Sequence, residues 1–93
     1  MMEKQWVLYI LSCGDGTLYT GITDDFQRRF AAHTQGKGAK YTKGRGPFLL
    51  KYLEKCDSHS HALRRECAVK RLKREEKLKL CEGFCWDITE EKI

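Results

Sequence analysis

The side chains of this chain that could do chemistry are few and far apart. Tyr9 and Tyr19 stand ten residues from each other, Arg29 and His33 four apart, and Glu66 is the only acid between Asp57 and Glu75. Stepped at about 100° per residue along a helix, Glu66 falls within the apolar stripe of Ala62, Leu63 and Val69. A carboxylate placed there is costly unless it is paired or holds a metal. Two partners are open: a cation from solution, or Lys70 in the favourable Glu-before-Lys order at i, i+4. A second set of donors, Cys56, His59 and His61 with Cys81 and Cys85, holds ligands that zinc accepts. Their spacing matches no common zinc pattern, and buried or incidental thiols beside a polar helix start account for them better.

These side chains need elements to hold them. Residues 6–12, Trp-Val-Leu-Tyr-Ile-Leu-Ser, are apolar and too short for a helix; Cys-Gly-Asp-Gly follows, then Thr-Leu-Tyr-Thr-Gly-Ile-Thr, which predicts a β-hairpin. If Gly16 is the left-handed residue closing a three-residue loop, Cys13 pairs with Thr17, and Tyr9 and Tyr19 become diagonal neighbours on one face. Thr23 is the expected N-cap of a helix running to about His33, with Asp24 and Asp25 in its first turn. On that helix Arg29 and His33 flank the face marked by Phe26 and Phe30, while Arg28 points to water.

Thr34 to Gly46 carries four glycines and four basic residues around Tyr41 and reads as a mobile basic loop ended by Pro47. Phe48 to Glu54 predicts a third strand, central or half-buried. Ser58 or Ser60 can cap a second helix beginning near His61 and extending to about Leu80, with a break near Lys73.

With 93 residues the chain has the size of one domain, read as a core over about residues 5–80 and a short acidic tail at 81–93. No stretch approaches the length of a membrane span, and the start lacks a secretory signal, so a cytoplasmic protein with reduced thiols is expected. The formal charge of +5 is unevenly spread: residues 37–79 hold 14 basic and 5 acidic side chains, residues 1–36 hold 3 and 4, and residues 80–93 hold 1 and 4. A basic middle between neutral and acidic ends is the footprint of a polyanion binder, nucleic acid above all, or else a solvated helix surface. Lys40, Tyr41, Lys43 and Arg45 in the glycine-rich loop, with Lys70, are the expected nucleic-acid contacts.

Together these residues resemble the GIY-YIG nuclease family. Its first triplet corresponds to Val7-Leu8-Tyr9 and its second to Tyr19-Thr20-Gly21; its helix arginine maps to Arg29 and its metal-binding glutamate to Glu66. Gly38-Ala39-Lys40-Tyr41-Thr42 and Ala62-Leu63-Arg64-Arg65-Glu66 look most like the small bacterial members, which are related to the N-terminal nuclease domain of excision-repair endonucleases. Val7 stands in place of the first glycine, Thr20 in place of the second isoleucine, and Ile22 where the excision-repair relatives tend to have lysine. The late asparagine used by some members has no counterpart, since the chain has no Asn.

The resemblance implies an α/β fold, with a small three-stranded antiparallel sheet flanked by helices, and a DNA endonuclease dependent on Mg²⁺ or Mn²⁺. It implies that Tyr9 acts as base on water, helped by Tyr19 and His33, that Arg29 binds the scissile phosphate, and that Glu66 holds one Mg²⁺. A free phenol titrates at about 10 and is a poor base at neutral pH, so a nearby cation would have to lower it. The rival readings are a catalytically silent nucleic-acid-binding module and a zinc-stabilised interaction protein.

Overall fold

The computed structural model describes residues 5–38 and 40–83, apart from the side chain of Tyr41. Strands β1 (Val7–Ser12) and β2 (Leu18–Thr23) form the expected hairpin. Gly16 takes a φ of 87°, and the Cys13 N–H donates to the Thr17 carbonyl at 2.8 Å, so the loop has three residues. That parity sets Tyr9 opposite Gly21 and Leu11 opposite Tyr19.

Strand β3 (Leu49–Lys55) pairs antiparallel with β1, and the sheet order is β2-β1-β3. The third strand is therefore an edge, which corrects the expectation of a central one; it is half-buried, as the other alternative had it. The reason lies in the side chains: β1 is apolar on both faces and buried from Val7 to Leu11, whereas β3 turns Leu49, Lys51 and Lys55 to solvent. Alternation along β1 builds two cores. Leu8 and Ile10 pack with Cys56, Ala62, Val69 and Cys81 on one side; Val7, Tyr9 and Leu11 pack with Cys13, Phe48, Phe26 and Phe30 on the other.

Helix α1 (Phe26–Thr34) starts two residues later than a Thr23 cap would allow. Thr23 ends β2 and its hydroxyl accepts the Asp25 N–H at 3.0 Å, while Asp25 is the N-cap, its carboxylate accepting the Arg28 N–H at 3.2 Å. Asp24 and Asp25 thus precede the helix. Helix α2 (His59–Lys70) is capped by Ser58, whose hydroxyl accepts the His61 N–H at 3.1 Å. The break falls at 71–73, and α3 (Arg74–Glu82) begins with the Lys73 N–H donating to the Glu76 carboxylate at 2.9 Å. Leu63, assigned to the packed stripe of α2, is instead 46% exposed.

The basic loop is anchored. It contains a 3-10 turn at Lys40–Thr42, and the Gly14 N–H donates to the Arg45 carbonyl at 2.6 Å. Cys56 is buried, His61 accepts the Asp57 N–H at 3.0 Å, and His59 stacks on Trp6 with 4.3 Å between ring centroids. No cluster of three or more His, Cys, Asp or Glu suited to a metal occurs among the described residues, which leaves the zinc reading without support. Cys85 and most of the acidic tail lie outside the described residues.

Candidate active site

Tyr9 is the pivot of the site. It lies on the central strand, has no exposure to solvent, and faces α1. Its diagonal neighbour Tyr19 brings a second ring to 6.2 Å, and the edge of Phe26 packs at 5.4 Å. Both phenol rings lie against Gly21, where a Cβ would fall 2.7 Å from the Tyr9 oxygen and 2.9 Å from Cε2 of Tyr19. The glycine of the second triplet is thus needed for close approach, since its φ lies outside the left-handed region.

Helix α1 presents Arg29 and His33 to these phenols, one turn apart. Arg29 is half-buried and hydrogen-bonds both Tyr9 and Tyr19, whereas Arg28 is exposed. His33 is 1% exposed; its Nε2 lies 2.9 Å from the Tyr9 oxygen and its Nδ1 2.8 Å from Oγ1 of Thr42, itself buried. A guanidinium only donates, so the Tyr9 oxygen accepts from Arg29 and has its own hydrogen to give. With Nε2 of His33 receiving it, a neutral imidazole carries its proton on Nδ1, directed at Thr42.

Burial governs the protonation of this cluster. It pushes the Tyr9 phenol up to about 12, against the lowering effect of the Arg29 hydrogen bond. It also lowers His33 to about 4, with the charge of Arg29 acting the same way. The phenol therefore titrates in the opposite direction to the one a free base would need. Arg29 is raised, first by its hydrogen bond to Tyr9.

Glu66 comes from α2, which packs on β2 and β1. Its side chain is 21% exposed, its charge adds to the raising of Tyr9, and Lys70 Nζ lies 3.2 Å from Oε2. The i, i+4 partner is thus present. One partly exposed carboxylate still suits Mg²⁺, which keeps several waters and takes further oxygens from a phosphate. The helix bearing Glu66 is tied to β3 by Arg65, which grips Glu54 with two hydrogen bonds of 2.6 and 2.8 Å; the Tyr52 hydroxyl donates to the same carboxylate at 2.9 Å. Arg65 holds the Glu54 carboxyl below its ordinary range.

Of the five expected catalytic residues, Tyr9, Tyr19, Arg29 and His33 form one contiguous cluster, and Glu66 stands within electrostatic reach of it. The expected nucleic-acid contacts are more scattered. Lys40 and Lys43 are exposed, but Arg45 is paired with Asp15 at 2.5 Å across the hairpin turn. The side chain of Tyr41 lies outside the described residues. Thr42, Gly21 and the Glu54–Arg65 pair were missed as site residues. Thr42 reads from sequence as one more polar residue in a glycine-rich loop, and Glu54 and Arg65 lie on separate elements with no periodicity to link them.

A family model for the GIY-YIG catalytic domain matches residues 5–79, and the chain belongs to this family of nucleases. Among similar sequences, a UPF0213 protein of Oceanobacillus iheyensis is 49% identical over 81 residues, covering 87% of this chain and 94% of that protein. Another, from Halobacterium salinarum, is 53% identical over 70 residues, covering 75% and 91%. The solution NMR structure of a UPF0213 protein from Bacillus halodurans has a TM-score of 0.55 at 47% identity, covering 84% of this chain and 83% of that one. An NMR structure of an E. faecalis protein has a TM-score of 0.62 at 36% identity, with 88% of each chain covered. Membership implies an endonuclease-type function on a nucleic-acid substrate. No helix among the described residues is long and apolar enough to cross a membrane.

Proposed function

We propose that this protein is a divalent-metal-dependent DNA endonuclease that acts in the repair or processing of DNA in the cytoplasm. The observation that carries the reading is the clustering of Tyr9, Tyr19, Arg29 and His33, with the two phenols against Gly21 and Glu66 alongside. Arg29 is the cation that binds the scissile phosphate and neutralises charge developing on it. Tyr9 holds its proton at neutral pH, so it can take a proton from water only as its own passes to Nε2 of His33, which is neutral and placed to accept. Tyr19 shares the Arg29 donor and fixes its direction. Glu66 would hold Mg²⁺ or Mn²⁺, and the ion, when bound, supplies positive charge beside the leaving oxygen. Lys40 and Lys43 contribute phosphate contacts from the exposed loop.

The Lys70 ammonium on Glu66 favours the second reading, a nucleic-acid-binding module without catalysis. Incubating single-stranded, duplex, nicked and branched DNA with Mg²⁺, Mn²⁺ or EDTA separates the two. Metal-dependent cleavage that is lost in Arg29→Ala and kept in Arg28→Ala supports the nuclease; binding with no cleavage of any form supports the module.

A further inference from the structure

A groove beside the catalytic cluster has not been accounted for. It runs between strand β2 and the corner where α2 passes into α3. One recess of about 350 Å³ is lined by Leu18, Tyr19, Thr20, Lys70 and Lys77, and an adjoining one of about 220 Å³ shares Leu18 and Lys77 and adds Arg74. One end of the groove is therefore Tyr19, a member of the cluster, and beside it Lys70, the partner of Glu66.

Three features suit this groove to phosphate. First, Lys70 at the end of α2 and Arg74 and Lys77 at the start of α3 bring three cations to the groove from the two sides of the 71–73 corner. Second, β2 is an edge strand: with the Cys13 N–H on the Thr17 carbonyl, the antiparallel alternation turns the N–H groups of Leu18 and Thr20 away from β1, toward the open edge. Third, Thr20 is 4% exposed and its hydroxyl has no hydrogen-bond partner. Such a group is costly until an acceptor takes its hydrogen. Thr20 stands where the family motif has an apolar residue, so this hydroxyl is a feature of the present chain.

We infer that this groove is a binding site for the phosphate backbone of one nucleic-acid strand, leading it from Tyr19 along Lys70, Lys77 and Arg74, on one side of the bond to be cut. The inference rests on the nuclease reading for its ligand, and it places the strand along α3, in recesses that the loop lysines Lys40 and Lys43 do not line. The site reads backbone charge and no base edges, so it is indifferent to sequence.

The test is equilibrium binding of a fluorescent single-stranded DNA oligonucleotide in EDTA, measured by anisotropy over a range of salt. Arg74→Gln with Lys77→Gln should weaken binding roughly tenfold or more at 0.1 M salt, and lower the slope of log affinity against log salt by about 1.4, two single-strand contacts' worth. Lys51→Gln with Lys55→Gln, an equal loss of charge on exposed positions of β3, should leave both nearly unchanged. Thr20→Val should weaken binding severalfold with no loss of thermal midpoint, a pattern that a diffuse charge effect does not produce. Wild-type affinity and slope in the Arg74/Lys77 variant, an equal loss in the β3 control, or unchanged binding in Thr20→Val each overturns the groove. If such results accompany normal metal-dependent cleavage, the nuclease reading survives without it; a wild-type protein that neither binds nor cleaves nucleic acid removes both.

Discussion

The Tyr9 oxygen lies 2.9 Å from Nε2 of His33 inside a region closed to solvent, and burial drives the two groups apart in protonation: the phenol up to about 12, the imidazole down to about 4. A histidine lowered on folding makes the unfolded chain bind more protons between the folded value and about 6.5. Stability should therefore be fully present above about pH 6.5, fall as pH drops toward 4, and flatten below it. The expected loss attributable to His33 is roughly 2 to 3 kcal/mol. Thermal melts from pH 7 to 4 on the wild type and on His33→Gln check this, since the Gln variant should lose that part of the dependence; parallel curves would refute it.

Thr42 should behave as a positioning residue acting through His33. Thr42→Val keeps the shape and leaves Nδ1 of His33 without its acceptor, at a cost of about 1 to 3 kcal/mol. The turnover number should drop at least tenfold with little change in KM, and Thr42→Ser should restore most of it. Ring ¹⁵N shifts of His33 should show the proton on Nδ1 in the wild type and a mixed tautomer in Thr42→Val; an unaltered tautomer would show that Thr42 only fills space.

Gly21→Ala probes the cradle under the two phenols. The added methyl must displace Tyr9 or Tyr19, because their atoms occupy its place, and the overpacking should cost about 1 to 3 kcal/mol. Cleavage should fall at least tenfold while DNA binding in EDTA stays near wild type. An active, fully stable Ala variant would mean that the rings have room the structure does not give them.

Glu66→Gln separates metal binding from the ion pair. The Lys70 side chain is 53% exposed, so losing this pair should change stability by no more than about 0.5 kcal/mol. Cleavage should disappear and DNA affinity should hold or rise, because one negative charge leaves a basic surface. Lys70→Met should retain metal-dependent cleavage while weakening DNA binding. Robust Mg²⁺-dependent cleavage by the Gln variant would end the assignment of Glu66.

Local chain geometry explains what was legible without coordinates. Gly16, two residues after Gly14, is enough to set a three-residue hairpin loop, and a period of two then carries Tyr9 and Tyr19 to one face. A period near 3.6 likewise separates Arg29 from Arg28, puts Arg29 and His33 one turn apart, and brings Lys70 under Glu66. Ser58 announces the start of α2 and the 71–73 corner its end. All of these depend on residues within about a dozen positions of each other.

The remaining features needed the chain to close on itself. That β1 is central and β3 an edge depends on which strand can be covered on both faces, a property of the assembled layers. Thr42 and His33, Arg45 and Asp15, and Arg65 and Glu54 each sit on two different elements or loops, whatever their separation along the chain. In each case the partner is chosen by packing across elements, to which no sequence period corresponds. The protonation of Tyr9 is the sharpest instance: the residue types suggest a phenol eased by a neighbouring cation, but its pKa follows the water excluded around it, and only the tertiary structure determines that burial outweighs Arg29.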